Sequence, residues 1–211
     1  MKQLLSLLLA LLIAAGMLTG CENNENKMEA LMGKWQMAYT ADANLAKTCL
    51  ENLDLAEEEI ALVDLNTLKM CVFVEYSAGT YRIALEPDII KDNVEEYLTD
   101  VFDNLYENRQ ELNGFYGEDF SEMTKGEFRQ FYAELYTFAN FTDLMDAFVE
   151  GCFDYEVLGE NAETGTYHIK GDKIYRTIDG TSEEEYMTYR INGNTLTLIY
   201  ADFEEVFTRA E

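Results

Sequence analysis

The residues able to do chemistry are few: four Cys and one His, among 41 acidic and 15 basic side chains in a chain of 211. Cys49, Cys71 and Cys152 fall at spacings that match no zinc motif, and no His stands near them in sequence to complete a Cys–His ligand set. If the chain is exported, two arrangements stay open: one disulfide with a thiol left over, or three buried, reduced cysteines. Cys71 lies in the apolar run Met70 to Val74, where a thiol packs as a small hydrophobe. His168 stands between Tyr167 and Ile169. If those two face inward, strand alternation turns the imidazole to solvent, and no Ser or Cys elbow accompanies it as a nucleophile. The runs Glu57-Glu58-Glu59 and Glu183-Glu184-Glu185 read as solvated faces, and neither has the Asp-x-Asp-x-Asp-Gly spacing of a calcium loop. No nucleophile–base or metal set emerges, so the sequence predicts no enzyme, no metal and no cofactor.

The formal charge of −26 argues against nucleic acid, because phosphate binding needs clustered Lys and Arg. It argues equally against electrostatic adhesion to anionic lipid. Membrane attachment is predicted by another route. Lys2 precedes an apolar run from Leu4 to Met17 interrupted only by Ser6, which describes a secretory signal too short to span a bilayer comfortably. The segment Leu18-Thr19-Gly20-Cys21 resembles the lipobox of bacterial lipoproteins. That resemblance implies cleavage before Cys21, diacylglycerol on its sulfur, and an extracytoplasmic protein held at the cell membrane. Residues 22–29 (ENNENKME) are polar and lack aromatics, the composition of a flexible tether.

The rest of the chain must position whatever the protein binds. Gly33 to Tyr39 alternates as a first strand with Trp35, Met37 and Tyr39 on one face. Residues 44–64 read as helical, with Asp54-Leu-Ala-Glu57 as a capping box. Leu68–Tyr76 and Thr80–Leu85 form strand patterns joined by Ser77-Ala78-Gly79, a hairpin signal. After Pro87 the period changes. Ile90, Val94, Tyr97, Leu98, Val101, Phe102, Leu105 and Leu112 mark a long amphipathic helix. Thr124-Lys-Gly-Glu127 reads as the capping box of the next helix, and Asn140 to Asp143 starts a third. From Phe153 the strand pattern returns, with turns at Asp172, Asp179-Gly180 and Asn192-Gly193. These observations predict an α+β fold: an antiparallel up-and-down β-barrel of about eight strands, interrupted by an all-helical insertion at residues 88–152. The expected organisation is a signal peptide at 1–20, a lipidated Cys and tether at 21–30, and one barrel domain at 31–211.

Gly33-Lys34-Trp35 opening the first strand and Phe207-Thr208-Arg209 ending the last are similar to the lipocalin-like domains of bacterial lipoproteins. The resemblance implies that Trp35 lies at the closed end of the barrel with Arg209 packed across it, so Gly33, Trp35 and Arg209 form a structural signature. It covers residues 31–86 and 153–211, whereas the helical insertion departs from it.

The function predicted is a non-catalytic binding or interaction module, with an apolar small molecule or a peptide as ligand. The alternative is a structural envelope lipoprotein whose barrel is packed solid and whose helices dock a partner protein. Most aromatics of the insertion fall on helical stripes and read as packing. Phe115, Tyr116 and Phe120, in the stretch from Asn113 to Ser121, fall off those stripes and are the candidate ligand or partner contacts.

Overall fold

The structure, a computed structural model, describes residues 26–210. Cys21 and the segment around it lie outside the described residues. Eight strands follow in order: β1 (Gly33–Thr40), β2 (Lys69–Tyr76), β3 (Thr80–Leu85), β4 (Glu163–Lys170), β5 (Lys173–Ile178), β6 (Glu184–Asn192), β7 (Thr195–Ile199) and β8 (Glu204–Arg209). They form a closed antiparallel up-and-down barrel in which every strand neighbours the next in sequence. Pairing of β1 with β8 closes it, with Trp35 opposite Arg209 and Gln36 opposite Thr208. The lipocalin-like α+β architecture is therefore as the sequence predicts.

The helices are α1 (Ala43–Asn52), α2 (Glu57–Ile60), α3 (Pro87–Glu107), a 3-10 turn (Arg109–Leu112), α4 (Asn113–Tyr116), α5 (Lys125–Leu135), α6 (Phe141–Cys152) and α7 (Tyr155–Glu160). No helix among the described residues is long and apolar enough to cross a membrane. The chain divides into two compact units. Among the described residues, one comprises 26–37, Phe73–Ile83 and 162–210; the other comprises Ala38–Val72 and Ala84–Asn161.

In the first unit, alternation decides what the barrel buries. Along β4, Gly165, Tyr167 and Ile169 are inward and the residues between them are exposed. His168 accordingly faces out, stacked on Tyr175 with ring centroids 4.9 Å apart and Nδ1 3.7 Å from Glu184 Oε1. Trp35, Ile174, Met187, Leu196, Leu198 and Phe207 fill the interior. The face predicted for β1 is only partly built: Trp35 is fully buried, whereas Tyr39, in the part of β1 that belongs to the second unit, is 42 % exposed.

The second unit is larger than the 88–152 stretch, because α1, α2 and residues 68–71 share its apolar core with α3, α5 and α6. A disulfide joins Cys49 of α1 to Cys152 of α6, which settles the arrangement that the sequence left open, and Cys71 remains a buried thiol. The predicted caps at Thr124 and Asn140 are present. Thr124 Oγ1 accepts from the Glu127 amide at 3.3 Å while Glu127 accepts from the Thr124 amide at 2.8 Å, and Asn140 accepts from the Asp143 amide at 3.0 Å.

Three expectations for this unit are corrected. Asp54 does not cap a helix: it sits at φ 58° in the link between α1 and α2, and Glu59 closes the N-terminus of α2 by accepting from the Ala56 amide at 2.7 Å. Glu59 therefore does not lie on a solvated face. It is fully buried, and its other oxygen accepts from the Tyr132 hydroxyl at 2.5 Å. Finally, the strands do not resume at Phe153, because Asp154 caps the short helix α7 by accepting from the Val157 amide at 3.1 Å.

Candidate functional site

Arg176 is the feature of the barrel interior that periodicity alone would not place there. In the β5 sequence Lys-Ile-Tyr-Arg-Thr-Ile, Ile174 and Arg176 share the inward face, and the pairing sets Arg176 opposite Tyr167 on β4 and Glu185 on β6. Arg176 is 6 % exposed. Its Nε and Nη1 have no hydrogen-bond partner, and the same holds for the buried hydroxyls of Tyr76, Tyr167 and Tyr189. Among the described residues no carboxylate lies within ion-pairing distance of the guanidinium.

Local packing holds this group in place. The Tyr76 and Tyr167 rings meet edge to face at 5.0 Å, and the Tyr81 ring lies 5.2 Å from the Arg176 guanidinium carbon. Gly165 makes room for Tyr81. A Cβ there would sit 2.8 Å from the Tyr81 ring and 2.2 Å from the Thr177 carbonyl oxygen. Tyr81 donates its hydroxyl to Glu163 at 3.0 Å, and Tyr200 donates to Glu205 at 2.9 Å, so the acids nearest this end of the barrel already have partners. Burial pushes the Tyr76 hydroxyl well above its usual range, and the Arg176 charge opposes part of that rise. Both effects fit a tyrosine that stays neutral beside a permanent cation in a low-dielectric interior. A cleft of about 340 Å³ on the same unit is lined by Asn26, Lys27, Ala30, Asp172, Tyr189 and Ile191. Tyr189 thus links the cleft to the interior, since it lines the one while its hydroxyl is buried.

The family-signature residues come together at the junction of β1 and β8. The Arg209 guanidinium lies 4.1 Å from the centre of the Trp35 ring. Arg209 also donates through Nη1 to Met32 O at 2.9 Å and through Nη2 to Ala30 O at 2.7 Å, while Trp35 Nε1 donates to Leu31 O at 2.7 Å. Gly33 is required between them. Its φ is +113°, and a Cβ would lie 2.9 Å from Arg209 Nη1. Trp35 Nε1 and both terminal nitrogens of Arg209 are engaged, so the cluster ties the helical turn at residues 26–31 to the barrel.

Of the three aromatics predicted as contacts, Phe120 is not accessible. Its amide donates to Asn113 Oδ1 at 2.8 Å and its carbonyl accepts from Arg109 Nε at 2.9 Å. Those bonds fold the loop back and bury the ring fully against Phe128 and Phe131. Tyr116 is half-buried against Phe120 and Phe131, and only Phe115, 46 % exposed, projects as a contact could.

The sequence reading missed Arg176 and its tyrosines. The available signal was an Arg at an inward position of a strand whose other inward residues are Ile. No protein-family model matches this chain, and neither a curated protein nor a solved structure matches it.

Proposed function

We propose that this protein is an extracytoplasmic lipoprotein, anchored through Cys21, whose barrel serves as a non-catalytic binding module for a small molecule. One observation carries the reading: the barrel interior buries the Arg176 donors and three tyrosine hydroxyls without partners. Each such buried, unsatisfied polar group costs about 1–3 kcal/mol, and more when it is charged. A barrel serving only as a scaffold gains nothing from that cost, whereas a binding protein recovers it when a ligand supplies the missing acceptors. The charge of the chain and the diacylglycerol anchor complement each other, since an acidic protein stays at an anionic membrane only if acyl chains hold it there.

A second reading rests on Phe115. As the exposed edge of an otherwise buried aromatic cluster, it fits a helical unit that docks a partner protein.

Two measurements test the proposal. Native mass spectrometry of the protein drawn from its own membranes is expected to show a bound small molecule, and a bare polypeptide released intact from its anchor would overturn the binding role. Replacing Cys21 by Ala is expected to release the protein from the membrane fraction or leave it unprocessed. Unchanged retention would remove the lipid anchor.

A further inference from the structure

We propose that Arg176, with the hydroxyl of Tyr76, forms a carboxylate-binding site inside the barrel. The inference rests on the reading of the barrel as a binding module and names the chemistry of its ligand.

The geometry is that of a built site. Arg176 is 94 % buried by its 6 % exposure, and its Nε and Nη1 point donors into the interior with nothing to receive them. Tyr167 stands across the β4–β5 ladder from Arg176 and Tyr76 packs edge to face on it, so the partnerless Tyr76 hydroxyl lies where the Arg176 charge is felt. Donors therefore outnumber acceptors. The guanidinium cannot shed its proton, so the imbalance also includes one positive charge.

The group that corrects both deficits is an anion with several lone pairs. A carboxylate provides a full charge and about four acceptor positions in the volume of a few atoms, and hydrogen bonds to charged partners are about twice as strong as neutral ones. A neutral amide leaves the charge uncompensated, and its NH₂ adds donors to a site already rich in them. The other buried side chains of the barrel strands, Ile174, Met187, Leu198 and Phe207 among them, are apolar, so the rest of the ligand is apolar too. The acids at this end do not replace the ligand: Glu163 is held by Tyr81, Glu205 by Tyr200, and Glu185, across β6 from Arg176, is exposed to water.

The test compares benzoate with benzamide, two probes of one shape that differ in charge and donor pattern. Binding is measured by saturation-transfer NMR to the full chain in zwitterionic phospholipid nanodiscs, with empty nanodiscs as the blank. Benzoate is expected to bind roughly tenfold or more tightly than benzamide. Arg176→Met should abolish that preference while keeping the wild-type near-ultraviolet circular dichroism, since replacing a buried charge with an apolar side chain of similar volume is often neutral or stabilising. Tyr76→Phe, which keeps the ring, should weaken benzoate severalfold and leave benzamide unchanged. Equal binding of the two probes, or a preference that survives Arg176→Met, would overturn the carboxylate site while leaving a barrel that binds ligands. Binding of neither probe would overturn the site as well, and the native mass measurement would then decide the wider reading by itself.

Discussion

Arg209 lies over the indole of Trp35 at 4.1 Å and is also its register partner across the strands that close the barrel. A cation–π contact and barrel closure are thus one interaction. Trp35→Ala should destabilise the fold by ~3–5 kcal/mol as a large core deletion, and Arg209→Ala by less. A double-mutant cycle in urea should return a coupling of about 0.5–2 kcal/mol. Strict additivity would show that the two side chains stabilise the barrel independently.

Gly33 is expected to tolerate no side chain. At φ +113° with Arg209 Nη1 in the way, Gly33→Ala combines backbone strain with displacement of the guanidinium. The expected loss is about 1–3 kcal/mol, and it should shrink when Arg209 is also Ala, because the steric part then disappears. Equal losses in the two backgrounds, read from urea midpoints, would assign the whole effect to φ.

The Cys49–Cys152 bond closes a loop with a sequence separation of 103. Constraining a loop of that size in the unfolded chain stabilises a protein by about 2–4 kcal/mol in typical cases. Reduction, or Cys49→Ala with Cys152→Ala, should lower the midpoint of the helical unit accordingly. The Cys71→Ala variant should still gain the mass of two hydrogens on reduction, since Cys71 takes no part in the bridge. No mass gain on reduction of that variant would deny the pairing.

Phe115 and Phe120 should separate cleanly although they stand five positions apart in the sequence. Phe120 is fully buried, so Phe120→Ala should cost ~3–5 kcal/mol. Phe115 is 46 % exposed, and Phe115→Ala should fall within about 0.5 kcal/mol of the parent. Thermal melts check both, and a large loss at Phe115 would place it in the core.

Alkaline pH should unfold the protein. Burial, first of all, raises the hydroxyls of Tyr155 and Tyr200 to about 12 from an ordinary 10.0. Burial and the neighbouring Glu59 push Tyr132 higher still. Folding therefore favours the neutral form of these groups. The stability they contribute is complete below an unfolded value of about 10 and is lost as pH rises through their folded values. Urea midpoints should hold steady from neutral pH to about 10 and then fall. A flat profile to about 12 would contradict the burial of these hydroxyls.

Much of the fold was legible in the residues because local rules sufficed for it. The alternation Tyr167-His168-Ile169 set which face of β4 is buried, the Asx-Gly pairs set the turns from β5 to β6 and from β6 to β7, and the oxygens of Thr124, Glu127, Asn140 and Asp143 set where α5 and α6 begin. The chain near Gly33 and Arg209 carried enough of the closing contact to be recognised, since each residue sits at a strand end where only a few conformations are open. Local rules failed where a distant partner determined the outcome. Glu59 is buried because Tyr132, distant in sequence, supplies a hydroxyl. Cys49 and Cys152 meet because α1 packs on α6. Phe120 left its apparent loop for the core because Asn113 and Arg109 bind its backbone. The candidate site belongs to this second class. Arg176 could be placed on the inward face by counting along β5, but its lack of partners emerges only when the barrel closes around it and brings no carboxylate to its Nε and Nη1. Period and capping depend on neighbours within a few residues, whereas satisfaction of a buried charge depends on every strand that faces it.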